Sequence, residues 1–213
     1  MKPTLFSSPG SHNCRRVTVF IHELGVDVAL KHVDVRPPGM GGENETDEFR
    51  AINPHAKVPV LKDGELVLFE SNAIVGYLAQ KHGPTPLFPQ DPARRALVQQ
   101  WQFWQGAHLS PAADGLLAEH MVKPMLGKAA DPEAVASHLG MFHRWARVLE
   151  DALSRGEYLV DGTFTYADIS VAAALMYATP AEIPIAEHPP VEAWLARVHA
   201  RPSWEATKPP PMG

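Results

Sequence analysis

The sequence predicts an α/β unit followed by an all-helical one, and three observations carry that prediction. Through residue 82 the spacing of apolar residues switches repeatedly between the period of two that marks a strand and the period of about 3.6 that marks a helix. Between 83 and 91, Gly83, Pro84, Pro86 and Pro89 crowd into a stretch that can continue neither element, and Pro92 follows at once. Beyond it no convincing strand pattern remains. The expected organisation is a first domain over 1–82 with the order β-α-β-α-β-β-α, a linker over 83–91 and a helical bundle over 92–213.

Each element has its own signal. Leu5 and Phe6 lie in a short strand; Val17, Phe20, Ile21 and Leu24 then recur at helical spacing and end at Gly25, where a helix terminator belongs. Val28 and Leu30 alternate in a second strand that can run on to Val35, and Pro37 to Gly42 reads as a flexible loop before a short helix. Val58 to Leu61 and Leu66 to Phe69 flank Asp63-Gly64, a dipeptide suited to the centre of a tight hairpin turn. Ile74, Val75, Leu78 and Ala79 mark the helix that closes the domain. After the linker, Asp91-Pro92 supplies an N-cap and a first-turn proline for a helix through Trp101 and Trp104 to about Pro111. Asp131-Pro132-Glu133 repeats that signal for a helix to about Leu153, and Thr165-Tyr166-Ala167-Asp168 fits a capping box. Pro190 to His199 gives a last helix, and the chain from Arg201 on reads as a tail.

Composition narrows the function. Across 213 residues, 24 acidic side chains exceed 19 basic ones, and no basic stripe is present, which argues against nucleic acid as a partner. One cysteine permits no internal disulfide and fits a reducing compartment. The first ten residues lack the apolar block of a signal peptide, and the longest apolar run, Val171 to Ala178, is far short of the roughly 20 residues of a membrane span. A cytoplasmic protein with no membrane partner is expected. No metal is expected either: His138 and His143 are five apart, and no His-Glu-x-x-His occurs. A Gly-x-Gly-x-x-Gly loop and a phosphate-loop lysine are also missing, which argues against a nucleotide.

Three segments are placed to do chemistry. The loop Ser7 to Arg16 leaves a strand and enters a helix, so its hydroxyls and N–H groups meet the positive end of a helix dipole, a place for a thiolate or phosphate. Ser11 or Asn13 acting only as a helix cap explains the same residues. In Lys57-Val58-Pro59 a proline enters a strand, so the strand is an edge or a start; a cis bond would turn the Val58 backbone groups outward to pair with a peptide-like ligand, and an ordinary trans edge proline is the plainer alternative. Glu70-Ser71-Asn72 stands between a strand and a helix, where Glu70 can meet a ligand ammonium and the helix start a ligand carboxylate, or Ser71 can simply cap.

Taken together and in order, these motifs resemble the cytosolic glutathione transferases over nearly the whole chain. The resemblance rests on a serine three residues before Cys14-Arg15, on Asn53-Pro54-x-x-Lys57-Val58-Pro59-Val60-Leu61, on Glu70-Ser71-x-Ala73-Ile74, and on the Phe164 to Asp168 capping motif. It implies a thioredoxin-like first domain and an all-helical C-terminal bundle. It implies further that Ser11, as in the theta-like and delta-like classes, donates a hydrogen bond to the glutathione sulfur. Val58 would pair with the cysteinyl part of the tripeptide, Lys57 would approach its glycyl carboxylate, and Glu70 and Ser71 would bind the γ-glutamyl amine and carboxylate. Asn72 departs from the arginine of some classes, and Arg36 and His55 are the candidates for a second basic contact. Glutathione would be a co-substrate, and a homodimer is implied.

For the second substrate, Trp101 and Trp104 share a helix face, as do Trp104 and His108, so Trp104 and His108 are candidates to hold an apolar electrophile; packing of the helical core is the plainer account of them. Met121, Met125 and Leu126 can extend that face or lie in the core. Cys14 has no Cys-x-x-Cys partner and is expected to be a buried, inert thiol. The expected function is conjugation of glutathione to a small apolar electrophile. A glutathione-dependent disulfide or peroxide reductase and a non-catalytic glutathione-fold binding protein are the alternatives.

Overall fold

The computed structural model describes residues 2–36 and 40–209. Four strands, β1 (Thr4–Ser7), β2 (Ala29–His32), β3 (Val60–Asp63) and β4 (Leu66–Phe69), form one sheet in the order β2-β1-β3-β4. β1 is parallel to β2 and antiparallel to β3, and β4 returns antiparallel to β3. α1 (His12–Leu24), α2 (Asp47–Ile52) and α3 (Ser71–Lys81) complete the predicted β-α-β-α-β-β-α order. Leu5, Val17, Phe20, Ile74, Val75 and Leu78 are fully buried, so the apolar faces read from the sequence are those that make the core. On another side of the sheet, Cys14, Val33, Phe49, Val58 and Val60 form a cluster with Phe6 and Ile52 at its margin.

The second strand stops at His32 rather than Val35, and of the expected loop Pro37 to Gly42 the residues 37–39 lie outside those described. The hairpin turn sits one residue later than Asp63-Gly64 suggests: Asp63 pairs with Leu66, so Gly64 is the first of the two central residues and takes the positive φ of 61°.

The described residues within Met1–Thr85 and Pro202–Gly213 make one compact unit, and Pro86–Arg201 makes the other. The second unit is helical: α4 (Pro92–Trp104), α5 (Ser110–Leu117), α6 (Lys123–Met125), α7 (Pro132–Leu153), α8 (Tyr166–Ala174) and α9 (Pro189–His199). The helix expected to end near Pro111 runs on to Met125, because wide π turns at Gln105–Leu109 and Ala118–Val122 precede Pro111 and Pro124. In each, the residue just before the proline bonds five residues back, Ser110 to Gln105 and Lys123 to Ala118. The wider winding accommodates a residue that has no N–H and whose ring would strike the preceding turn.

The capping box of α8 is formed: Thr165 N–H donates to Asp168 Oδ2 at 2.9 Å, and the Thr165 hydroxyl oxygen caps the helix start. Within the stretch from Arg201 on, expected as a tail, residues 202–206 instead form α10 (Pro202–Ala206), with Ser203 and Trp204 buried in the first unit.

Candidate functional site

Ser11 is the N-cap of α1. Its backbone is extended (φ −98°, ψ 117°), and its hydroxyl oxygen accepts the Cys14 N–H at 3.3 Å. The Ser11 N–H donates to the Ser8 carbonyl at 3.0 Å, which closes the loop, and the Ser8 N–H points to Cys14 Sγ at 3.4 Å. No acidic side chain stands in the first turn of α1, so the helix dipole is not offset from within. The cap reading of Ser11 is thus present in the geometry. The hydroxyl keeps one hydrogen to donate, and the Cys14 sulfur is an acceptor within its reach.

The start of α3 is joined to the start of α1 by a residue the sequence reading passed over. Arg16 is buried, 3% exposed, and its Nη1 donates at 2.9 Å to both Asn13 Oδ1 and Ser71 Oγ. A buried guanidinium between two helix N-termini, neither with an acid in its first turn, makes this corner favourable to an anion. Beside it Glu70 is exposed, with φ 72° and ψ 110°, a conformation that costs a non-glycine residue on the order of 1–3 kcal/mol. Strain of that kind at the junction of β4 and α3 fixes where the carboxylate leaves the chain.

The third segment packs against the first. Val58 shares the buried cluster with Cys14, and the Val58–Pro59 peptide is cis. The loop before it is clamped by two buried asparagines. Asn53 Nδ2 donates to the Lys57 carbonyl at 2.7 Å while its Oδ1 accepts from the His55 N–H at 3.1 Å, and Asn44 Nδ2 donates to the Ala56 carbonyl at 3.0 Å. Lys57 presents an exposed side chain. The two candidates for a second basic contact are engaged nearby: Arg36 Nε pairs with Asp34 at 2.8 Å, and the His55 ring lies 5.4 Å from that of Phe69.

Ser11, Ser71 and Val58 are therefore linked through Asn13, Arg16 and Cys14 in one unit. Trp104 and His108 belong to the other unit. There Trp104 lies 5.0 Å from Trp101 and 6.3 Å from both His108 and Trp145, and His108 approaches Trp145 at 4.6 Å between ring centroids. Trp145, 37 residues after His108 and on α7, was not singled out because helical spacing relates only residues of one helix.

Two titrating groups follow Ser11 closely in sequence. Burial first, and then the Arg16 charge, lower His12 from 6.5 to about 4, so its imidazole is neutral at pH 7. Burial pushes the Cys14 thiol up, against the smaller opposing effects of Ser8, Ser11 and Ser7, which keeps it protonated and unreactive. Among the described residues no cluster of three or more His, Cys, Asp or Glu side chains is arranged to hold a metal ion, and no helix is long and apolar enough to cross a membrane.

Known proteins share this architecture. The family model for the N-terminal domain of glutathione S-transferase matches residues 5–86, and that for the C-terminal domain matches residues 132–197. Glutathione S-transferase 3 of Zea mays is 34% identical over 209 residues, 95% of this chain and 91% of the maize protein. Glutathione S-transferase theta-3 of Mus musculus is also 34% identical, over 89% of this chain and 79% of the mouse protein. A glutathione transferase family member from Pseudomonas fluorescens, solved with two glutathione bound, superimposes with a TM-score of 0.86 at 25% identity, covering 99% of this chain and 93% of that one. Equal identity to a maize enzyme and to a mouse theta enzyme shows the family and does not single out the theta-like or delta-like class that the sequence suggested.

Proposed function

Because the chain belongs to the glutathione S-transferase family, we propose that it joins glutathione to a small apolar electrophile by holding the tripeptide sulfur as a thiolate at Ser11. The observation that carries this reading is the place of Ser11 at the N-cap of α1, where the hydroxyl that faces the Cys14 sulfur can turn its hydrogen to the sulfur of a ligand. A free thiol with a pKa of about 8.5 is only a few per cent ionised at pH 7. A hydrogen bond to a charged acceptor contributes about 1.5–3 kcal/mol, enough with the helix dipole to lower that pKa by one to two units.

The other roles follow from the chemistry of the groups. Ser71, braced by Arg16, and the start of α3 receive the γ-glutamyl carboxylate, while Glu70 receives the amine. The N–H and C=O of Val58 pair with the cysteinyl residue, and Lys57 supplies charge for the glycyl carboxylate. The thiolate then attacks the electrophilic carbon, the new C–S bond forms, and the leaving group departs with the electron pair of the broken bond. Ser11 donates a hydrogen bond and forms no covalent intermediate. Trp104 and His108 offer aromatic surface to the electrophile. A cytoplasmic homodimer acting in detoxification completes the reading.

Replacing Ser11 with alanine and titrating the bound thiolate by its ultraviolet absorbance tests the central step. The pKa is expected to rise by one to two units, with conjugation of a chloronitrobenzene falling at least tenfold at pH 6.5; an unchanged pKa removes Ser11 from the mechanism. Parallel assays with a hydroperoxide and a mixed disulfide separate conjugation from reduction, and measurable glutathione binding without turnover of any of the three indicates a binding protein.

A further inference from the structure

Arg16 stands in the second turn of α1 and is 3% exposed, so a bound tripeptide has almost no surface of it to touch. Its charge is nonetheless directed at the site. Nη1 donates at 2.9 Å to Asn13 Oδ1, in the first turn of α1, and at 2.9 Å to Oγ of Ser71, the first residue of α3. One guanidinium nitrogen therefore spans the two helix starts and uses both of its hydrogens to do so. The charge is felt beside Ser11 too: burial, and after it Arg16, lowers His12 to about 4.

The bond to Ser71 has a direction. A guanidinium can only donate, so Ser71 Oγ is the acceptor, and repulsion from the cation turns the hydroxyl hydrogen to the opposite side. A bond received from a charged donor also polarises the O–H, which makes it the stronger donor in its turn. Ser71 is itself 5% exposed, in the first turn of α3, where the N–H groups of the helix start add to the same field. A serine in a helix's first turn would by itself be free to rotate and to accept as readily as to donate. Arg16 removes that freedom, and what remains is a hydroxyl prepared for an anionic acceptor. The planar fork of arginine suits this bridge better than the single ammonium of lysine, whose stem is more mobile.

Resting on the reading in which Ser71 receives the γ-glutamyl carboxylate, we propose that Arg16 is a positioning residue of the glutathione site: it holds the Ser71 hydroxyl as a one-way donor, and Ser71 contributes to binding only while Arg16 holds it. Arg16 does so without touching the tripeptide. Its effect falls on capture of the γ-glutamyl end, and the chemistry at sulfur is left to Ser11.

A double-mutant cycle of Arg16→Met and Ser71→Ala on the full chain tests it, with two ligands: glutathione, and its analogue in which the γ-glutamyl carboxylate is a carboxamide. The wild type is expected to bind glutathione at least tenfold more tightly than the amide. That preference should fall at least fivefold in either single variant, and the double variant should bind glutathione within twofold of Arg16→Met. In turnover the loss should appear in the KM for glutathione, with kcat at saturating glutathione within threefold of the wild type. Arg16→Lys should recover part of the preference while Ser71 is present and none of it beside Ser71→Ala, and this pair decides the matter if Arg16→Met does not fold. An undiminished preference in the Arg16 variants, losses that add in the double variant, or a fall in kcat with KM unchanged overturns the proposal. A wild type that binds no glutathione overturns the reading of the site and this inference with it, whereas a wild type that binds with the expected preference, beside Arg16 variants that keep it, overturns this inference alone.

Discussion

Ser11 and His12 adjoin in sequence and answer to opposite physics. The hydroxyl of Ser11 is useful because its hydrogen can turn from the Cys14 sulfur to another acceptor, whereas the His12 imidazole is shaped by what burial denies it. With an ordinary value of 6.5 and a value of about 4 in the folded protein, His12 binds fewer protons in the native state than in the unfolded one across that interval. Native stability therefore rises with pH between about 4 and 6.5 and is lost as pH falls through that window, by at most about 3 kcal/mol. Replacing His12 with glutamine removes the titration. Urea midpoints measured from pH 7 to pH 4 should fall less steeply in His12→Gln than in the wild type, and parallel profiles would show that His12 does not carry the acid sensitivity.

At the scale of elements, what could be read in advance was local. The capping box at Thr165 to Asp168 needs only four neighbouring residues, so its pattern is written in four letters. The motif does more than cap: Asp168 Oδ1 also accepts from the Leu159 N–H at 3.0 Å and the Trp194 Nε1–H at 2.9 Å, which ties α8 to the preceding loop and to α9. Burial pushes this carboxyl up while those N–H donors and Thr165 pull it down. Asp168→Ala leaves several buried donors without an acceptor, each costing about 1–3 kcal/mol, so urea denaturation should report a loss of at least about 3 kcal/mol. Asp168→Asn, which keeps one accepting oxygen, should fall between. The π turns before Pro111 and Pro124 were not legible, since a proline within a helical pattern reads as a stop and only the surrounding bundle decides that the helix resumes. Arg16 was missed for a related reason: its partner Ser71 is 55 residues away, and a charged residue on a helix is ordinarily solvated.

The fate of the C-terminal segment belongs to the scale of the whole chain. Prolines and a short span without apolar period made the residues from Arg201 on look like a tail, yet Trp204 is 4% exposed and receives Arg15 across 189 residues of sequence. Ser203 bonds to Glu23 on the same helix, so α10 closes over α1 from within the first unit. No local pattern encodes such a contact, because one buried tryptophan has no periodicity. Its loss should nonetheless be felt at a distance. Trp204→Ala is expected to cost about 3–5 kcal/mol, the range for emptying a tryptophan site, and to raise the frequency with which the first unit opens. Cys14, 1% exposed in that unit, reports the opening: its alkylation by a thiol reagent, slow in the wild type because the thiol is buried and protonated, should quicken by at least a hundredfold in Trp204→Ala under native conditions. If the two rates are equal while the protein remains folded, α10 does not secure α1, and the burial of Trp204 contributes nothing to the integrity of the loop that carries Ser11.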